Sequence, residues 1–150
     1  MIKITLTDGT IKEFVKHSTP MDVAKSISEG FARNVLSANF NEITIETTTP
    51  LTTDGSLILY TFNDAGGKKA FWHSSAHVLA EAILSFYPNA KLTIGPAIDN
   101  GFYYDVDLGN DVISDKDFKE LETKFVAIAR GKHEFSIRSV SKADALSLYK

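Results

Sequence analysis

Two histidines spaced four residues apart are the feature of this sequence that most suggests chemistry. His73 and His77 lie in the segment Phe71-Trp-His-Ser-Ser-Ala-His-Val-Leu79, a run of residues that favours an α-helix. At about 100° per residue, both imidazoles project from the same face of that helix. Because imidazole binds and releases a proton near neutral pH, the pair is a candidate for acid–base chemistry or for metal binding.

The apolar residues of the same segment form a stripe separate from the histidines. The stripe consists of Trp72, Ala76, Leu79, Ala82, Ile83 and Phe86. The helical period therefore predicts that His73 and His77 lie beside the core and not within it, whereas Ser75 lies near the stripe as a small packing residue. A solvated pair without chemistry, on the polar face of an amphipathic helix, is the alternative that this pattern leaves open.

Two kinds of chemistry are disfavoured by the residues around the pair. A zinc site needs three or four protein ligands, but Ser74 stands where the motif His-Glu-x-x-His has glutamate, and the chain has no cysteine. The remaining histidines, His17 and His133, fall in other predicted elements, so we expect no metal site here. A serine nucleophile is also disfavoured, since residues one or two apart on a helix point in different directions.

The composition is that of a globular protein without a membrane span. The chain has 150 residues, of which 43% are hydrophobic and 23% charged. No apolar run reaches the roughly 18 residues that cross a bilayer, and the alternating first residues do not form a signal peptide, so we expect a cytoplasmic location and no membrane partner. The net charge of −3 gives no general attraction to nucleic acid.

Residues 1–62 show the pattern of an α+β roll. Alternating apolar residues on either side of Asp8-Gly9 predict a hairpin. Thr19 and Pro20 then begin a helix that Gly30 is expected to end, and strands follow at about 35–39, 42–46 and 57–62. The polar stretch 63–69 is predicted to be a linker, which would make it a domain boundary.

Residues 70–150 contain a second set of elements. The histidine helix is expected over about 70–86, and the strand near Tyr104 is expected to alternate. One of its faces carries Phe102, Tyr104, Val106 and Leu108, the other Tyr103, Asp105 and Asp107. A helix capped by Ser114 and Asp117 should run to about Arg130.

The later helix and the end of the chain complete this pattern. The helix that follows Ser114 is expected to bury four apolar residues: Phe118, Leu121, Phe125 and Ile128. A strand is predicted over 134–140, and Ser141 with Asp144 forms a further capping box. So short a final helix suggests that the chain is a fragment cut within or before a larger second domain.

Two motifs together resemble a known family. The helix motif His-Ser-Ser-Ala-His-x-Leu is weak alone, because alanyl-tRNA synthetase editing domains share its histidine spacing. Its coupling to Ile94-Gly-Pro-Ala-Ile-Asp-Asn-Gly-Phe-Tyr-Tyr-Asp105 is specific. With the hairpin-helix-strand unit before them, these motifs closely resemble the N-terminal region of bacterial-type threonyl-tRNA synthetases, over essentially the whole chain.

The resemblance implies a fold and a set of site residues. Residues 1–62 would be a TGS domain, which is a ubiquitin-like β-grasp module, and 70–150 the first part of a second α+β domain of the editing type. That domain hydrolyses serine wrongly esterified to tRNA(Thr). His73 and His77 would be catalytic, and Gly95 and Tyr104 would bind substrate. Further pocket residues would lie beyond Lys150, so the chain alone should lack deacylase activity.

The resemblance also implies partners and cofactors. The full-length enzyme would aminoacylate tRNA(Thr) with ATP and threonine, and would be a homodimer through domains absent from this chain. ATP, magnesium and zinc would bind in the absent catalytic domain, and no cofactor is expected here. The alternatives are a non-catalytic TGS-type module that binds nucleotide or RNA, and a metal-dependent hydrolase.

Overall fold

The computed structural model describes residues 1–131, 133 and 138–148. The chain divides into two compact units, Met1–Val112 and Ile113–Lys150. Within the described residues, no helix combines the length and apolar character that crossing a membrane requires. The strand predicted over 134–140 falls mostly outside the described residues.

The first unit opens with a five-stranded mixed sheet. Its strands are β1 (Ile2–Thr5), β2 (Ile11–Phe14), β3 (Val35–Phe40), β4 (Ile43–Ile45) and β5 (Gly55–Thr61). They are ordered β2-β1-β5-β3-β4, and the central pair β1 and β5 is parallel while the other neighbours are antiparallel. The predicted hairpin and the α+β roll are therefore confirmed.

Two helices lie between β2 and β3 in the sequence. Helix α1 (Pro20–Ile27) begins at a capping box in which the Thr19 side chain accepts a hydrogen bond from the Asp22 N–H. It ends at Ile27, and the short helix α2 (Glu29–Ala32) follows Ser28, whose hydroxyl caps α2 by accepting from the Phe31 N–H at 3.0 Å. The predicted end at Gly30 is thus wrong, since a second cap precedes it.

The core of this fold joins the sheet to α1. Its six buried residues come from strands β1, β3 and β5, from α1 and from the loop before β5: Ile2, Ile4, Val23, Ala38, Leu51 and Leu57. Burial of apolar side chains is the main favourable contribution to folding, at about 25 cal/mol per Å² of surface removed from water.

A long helix, α3 (Ala65–Phe86), follows β5 almost directly. The stretch 63–69, predicted as a linker, therefore contains the first turn of α3, and the histidine helix begins five residues earlier than expected. The physical reason is close packing. A Cβ on Gly67 would overlap the carbonyl oxygen of Thr61, and one on Gly66 would lie 2.7 Å from the Tyr60 ring. These glycines let the helix approach β5.

Two small hairpin ladders complete the first unit. Their strands are β6 (Lys91–Leu92), β7 (Ala97–Ile98), β8 (Gly101–Phe102) and β9 (Val106–Asp107). Strand β6 pairs antiparallel with β9, and β7 with β8. The predicted alternation of burial is confirmed, since Tyr103, Asp105 and Asp107 are exposed and the residues between and beside them are half-buried. The predicted single strand is wrong, because residues 103–105 lie outside the two short strands β8 and β9.

The second unit contains helices α4 (Asp115–Arg130) and α5 (Lys142–Leu148). The capping box of Ser114 and Asp117 is present as predicted. The predicted apolar face is only partly correct, because Leu121 is buried while Phe118 is 51% exposed. Periodicity defines the apolar face of a helix, but packing against other elements decides whether the face is covered, and the described residues of this unit bury Leu121 alone on α4.

Candidate functional site

The start of helix α3 is fixed to the sheet before the histidines are reached. The Asp64 carboxylate accepts hydrogen bonds from the Thr61 N–H at 2.8 Å and from the Thr61 hydroxyl at 2.9 Å. These bonds, the backbone one first, hold the pKa of Asp64 below its ordinary value. The Ser37 hydroxyl donates to the Gly66 carbonyl at 3.3 Å. The first turn therefore has a defined position on strands β3 and β5.

His73 and His77 lie on the exposed side of α3, next to its buried side. Both imidazoles are solvent-exposed, whereas Ala76 is 1% exposed and Ala80 is 5% exposed. The predicted separation of the histidines from the core stripe is therefore correct. Ser75 is buried as predicted, and its hydroxyl donates to the Phe71 carbonyl at 2.8 Å. Phe86, predicted to belong to the stripe, is 43% exposed instead.

The two imidazoles contact each other directly. Their Nε2 atoms are 3.2 Å apart, and the rings stand edge to face with centroids 4.6 Å apart and an interplanar angle of 81°. A hydrogen bond at this distance requires one Nε2 that carries a proton and one that offers its lone pair. The pair therefore holds a donor and an acceptor side by side, which suits the handling of a proton or the positioning of a water molecule.

Gly95 and Tyr104 meet against the same helix. A Cβ added to Gly95 would lie 2.6 Å from Cε2 of Tyr104 and 3.1 Å from the Ala76 Cβ, so the tyrosine ring covers the glycine and the glycine faces α3. Ala76 directly precedes His77 in the sequence. Gly95 and Tyr104 therefore pack on α3 at Ala76, on the buried side of the helix, one residue before the exposed His77.

The segment that carries Tyr104, between β8 and β9, is hydrogen-bonded to the residues that follow β6. The Thr93 hydroxyl donates to the Asp105 carbonyl at 2.6 Å, and the Thr93 N–H donates to the same oxygen at 3.2 Å. The Asp105 N–H in turn donates to the Ile94 carbonyl at 3.2 Å. Because these bonds flank both Gly95 and Tyr104, they fix how the ring lies over the glycine.

The hydroxyl of Tyr104 has no hydrogen-bond partner among the described residues. The side chain is half-buried through its ring, which packs on Gly95. A tyrosine hydroxyl close to a protein surface ordinarily bonds to water, protein or ligand. The group is therefore available to a bound molecule.

An aromatic cluster beside the histidines was not predicted from the sequence. The rings of Phe62, Phe71 and Trp72 meet edge to face with centroids 5.1 to 5.7 Å apart, and Trp72 also lies 6.3 Å from Phe102. Phe71 and Trp72 directly precede His73, and this adjacency was the available signal. The contacts tie the middle of α3 to strand β8 and to the end of β5.

The histidine pair is not part of a three-ligand cluster. Within the described residues, no three side chains of His, Asp or Glu come together as a metal site would require. Two open cavities lie elsewhere in the first unit. One, of about 540 Å³, is lined by Asn39, Asn41, Glu42, Ser56 and Ile58. The other, of about 520 Å³, adjoins the start of α3 and includes Lys68 and Lys69.

The first part of the chain matches a known domain family. Residues 2–61 match the family described as the TGS domain. These residues are a TGS domain. The TGS domain thus ends at the last residue of β5, four residues before α3 begins, and its β-grasp fold agrees with the sheet order found here.

The whole chain, beyond its TGS domain, is similar to part of several longer proteins. It is 65% identical over 150 residues to a protein of Flavobacterium psychrophilum named threonine–tRNA ligase, and 65% identical to one of Flavobacterium johnsoniae with the same name. A threonine–tRNA ligase of Desulfatibacillum aliphaticivorans is 47% identical over 150 residues. Each match covers 100% of this chain.

The similarity is to the N-terminal region of these relatives. The chain spans about a quarter of their length, since 23% of each relative is covered. The resemblance of the TGS domain and of the following residues to threonyl-tRNA synthetases is therefore confirmed. So is the mixed α+β fold, with a β-grasp domain followed by helices and small sheets.

Proposed function

We propose that this chain is the N-terminal part of a threonyl-tRNA synthetase in which the residues after the TGS domain begin a hydrolytic editing domain. Residues 1–62 would form the first domain, and the second would extend from about residue 70. The similarity to proteins named threonine–tRNA ligase over all 150 residues supports the enzyme class. The site geometry supports the hydrolytic role.

The observation that carries the hydrolytic role is the contact between His73 and His77. Their Nε2 atoms lie 3.2 Å apart on an exposed helix face. The Tyr104 hydroxyl, free of partners among the described residues, is on the segment that packs against the same helix through Gly95. A proton acceptor, a second imidazole and a hydroxyl donor are the groups that ester hydrolysis by water needs.

The reaction would proceed without a covalent enzyme intermediate. The unprotonated Nε2 of the pair takes a proton from a water molecule as its oxygen bonds to the carbonyl carbon of the seryl ester. The bond between that carbon and the ribose oxygen then breaks, and the proton is returned to the leaving oxygen. His73 and His77 share the positioning of the water, and the Tyr104 hydroxyl donates to the substrate.

Hydrolysis of seryl-tRNA(Thr) would be needed because binding alone discriminates poorly between threonine and serine. A site that accepts threonine also accepts serine, which differs by one methyl group worth about 1–3 kcal/mol, or roughly 10- to 200-fold in selectivity. A second site that hydrolyses the wrong product raises the accuracy further. The proposed substrate of this site is therefore seryl-tRNA(Thr).

The same proposal includes the partners of the whole protein. These are tRNA(Thr), threonine and ATP, with magnesium and zinc held in a catalytic domain outside this chain, and with a homodimer formed through such domains. Of these partners, only the tRNA, as its seryl ester, enters the chemistry described for His73 and His77. A cytoplasmic location stays a prediction.

Deacylation by the full-length protein tests the proposal. The double variant His73→Ala/His77→Ala should slow the hydrolysis of seryl-tRNA(Thr) by about 100-fold or more, the usual contribution of a general base. Threonylation of tRNA(Thr) should be unchanged. His17→Asn is the matched control, because His17 is an exposed histidine of the TGS domain in a left-handed conformation that Asn tolerates. Unchanged deacylation in the double variant would exclude the role.

A non-catalytic binding module is the second candidate. The observation in its favour is the cavity on the TGS sheet, which amide and hydroxyl groups of Asn39, Asn41 and Ser56 line far from the histidines in sequence. Such groups suit hydrogen bonds to a nucleotide. This candidate predicts that the double histidine variant behaves as the parent protein, while Asn39→Ala weakens RNA binding by the chain.

A further inference from the structure

The open cavity at the start of α3 lies one helical turn before the histidines. Its volume is about 520 Å³, and its lining consists of Asn63, Ala65, Lys68, Lys69, Ala97, Ile98 and Asp99. Lys69 precedes His73 by four residues, just as His73 precedes His77. Residues four apart share one face of a helix, and all three side chains are exposed. Lys69, His73 and His77 therefore form one row along the exposed side of α3.

The wall opposite the lysines belongs to a segment that follows the same helix. Gly95 lies against Ala76 of α3. Residues 97–99, two to four positions further along the chain, line the cavity together with the first turns of α3. The segment therefore runs beside α3 from Ala76 back toward the start of the helix. A molecule in the cavity would lie between this segment and the turn that precedes His73.

Two ammonium groups give the cavity a local positive charge. Among the described residues, neither Lys68 nor Lys69 forms an ion pair with a carboxylate. Lys68 is half-buried, and its Nζ lies 6.0 Å from the centroid of the Phe62 ring. The lining contributes one negative charge, from Asp99, against these two positive charges. The cavity is thus locally positive in a chain whose net charge is −3.

We propose that Lys68 and Lys69 bind the phosphate nearest to the scissile ester, at the single-stranded 3′ end of the tRNA. This inference rests on the proposed function, since the ester is the one that His73 and His77 would hydrolyse. In a tRNA esterified on its last ribose, only that ribose separates the ester oxygen from the phosphate of the same nucleotide. The four residues from Lys69 to His73 span about 6 Å along the helix axis. An ester at the imidazoles therefore places this phosphate beside the lysines.

The lysines are positioning residues in this proposal. A lysine ammonium binds phosphate as a point charge, and contacts to phosphate fix the register of a nucleic acid without reading its bases. Ile98, which is 51% exposed in the same cavity, offers apolar surface to the adjoining ribose. Because the phosphate takes no part in the reaction, its contact is the same in the substrate complex and in the transition state. Loss of the contact should therefore raise KM and leave kcat unchanged.

Deacylation by the full-length protein tests this division of roles. Lys69→Gln should raise KM for seryl-tRNA(Thr) about tenfold, as loss of a charge-assisted hydrogen bond does, and change kcat by less than about twofold. Lys69→Arg keeps the charge and should restore KM. The seryl ester of adenosine has no phosphate, so Lys69→Gln and the parent protein should hydrolyse it equally well. An unchanged KM for seryl-tRNA(Thr), or an equal defect on the phosphate-free ester, would overturn the proposal.

Binding of a short single-stranded RNA that ends in CCA tests the site without catalysis. The fluorescence anisotropy of a labelled RNA with the 150-residue chain gives the affinity. The double variant Lys68→Gln/Lys69→Gln should bind about tenfold more weakly, and its affinity should depend less on salt, by about 0.7 in the logarithmic slope for one lost phosphate contact. Lys25→Gln is the matched control, because Lys25 is an exposed lysine of helix α1. Displacement of the RNA by an equal concentration of inorganic phosphate would show a site for the free anion and overturn the assignment to RNA.

The phosphate site and the proposed function fail in different ways. If the double histidine variant keeps its deacylation rate, the hydrolytic role of His73 and His77 is excluded, while RNA binding by the lysine variants still decides the phosphate site. If Lys69→Gln has the parent KM and the double lysine variant has the parent affinity for RNA, the phosphate site is excluded and the hydrolytic role stands.

Discussion

Gly95 lies beneath the ring of Tyr104, so that a Cβ at residue 95 would come within 2.6 Å of the Tyr104 Cε2 atom. The same Cβ would be 3.1 Å from the methyl group of Ala76 on α3. The segment between β6 and β7 is thus pressed between a tyrosine and a helix. Only a residue without a side chain permits both contacts, and this is why the glycine matters to the candidate site.

Gly95→Ala should displace the Tyr104 ring from α3. We expect a loss of stability of about 1–3 kcal/mol from overpacking, together with slower deacylation in the full-length protein. Urea unfolding of the chain measures the first effect. Gly30→Ala is the control, because a Cβ there meets nothing within 4 Å in helix α2, and alanine is the better helix former. If both variants unfold at the same urea concentration, the close contact of Gly95 with Tyr104 and Ala76 does not make a Cβ at residue 95 destabilising.

Gly67→Ala should be the more damaging glycine substitution. Its Cβ would overlap the backbone oxygen of Thr61, which cannot rotate away as a side chain can. The start of α3 would have to move off strand β5, so we expect a loss at or beyond the upper end of the 1–3 kcal/mol range. Thermal unfolding followed by circular dichroism gives the comparison. A smaller loss than that of Gly95→Ala would contradict this ranking.

Tyr104→Phe should slow deacylation without lowering the stability of the fold. The hydroxyl has no partner among the described residues, so its removal leaves no protein group unpaired and should change stability by less than about 0.5 kcal/mol. Deacylation of seryl-tRNA(Thr) should slow if the hydroxyl donates to the substrate. Tyr104→Ala is the contrasting variant, since it also removes the ring that covers Gly95. A destabilised Tyr104→Phe would mean that the hydroxyl has a structural role.

Acid should destabilise the TGS domain through the cap of α1. Hydrogen bonds from the Thr19 backbone and then its side chain hold the pKa of Asp22 below the ordinary value of 3.8. A carboxylate with a lowered folded-state pKa contributes stability above its unfolded pKa and loses it as the pH falls through the folded pKa. Unfolding free energy should therefore fall below about pH 4.

Asp22→Asn should make this acid-dependent loss smaller. The amide cannot titrate, so the variant begins less stable at neutral pH and loses less on acidification. Urea unfolding of the parent chain and the variant at pH 7 and pH 3 provides the measurement. Parallel losses in the two proteins would show that other carboxylates dominate.

Local chemistry made several elements predictable from the sequence. The capping boxes of Thr19 with Asp22 and of Ser114 with Asp117 involve residues three apart, so the sequence contains both partners of each hydrogen bond. The exposed position of His73 and His77 follows from helical period alone. These features depend on residues three or four positions apart, so they can be predicted from the sequence without knowledge of the tertiary structure.

Two of the errors concern packing between elements, which the pattern of a single element does not contain. Gly66 and Gly67 have the composition of a linker, but their role is set by Tyr60 and Thr61 on β5, against which the helix packs. Phe118 has the period of a buried residue yet is 51% exposed. Within the candidate site, the four residues followed from family resemblance, whereas the contact between Gly95 and Tyr104 depends on packing that periodicity does not contain.

The unbroken course of α3 from the TGS sheet to the imidazoles restricts the length of the chain in this stretch. His73 lies six positions after Gly67, which is fixed against β5, so the two are separated by a rise of about 9 Å along the axis. An insertion or deletion of one residue between them would turn both imidazoles by about 100° around the axis while leaving their mutual spacing intact. The number of residues between Gly67 and His73 therefore sets the direction in which both imidazoles leave the helix relative to the sheet.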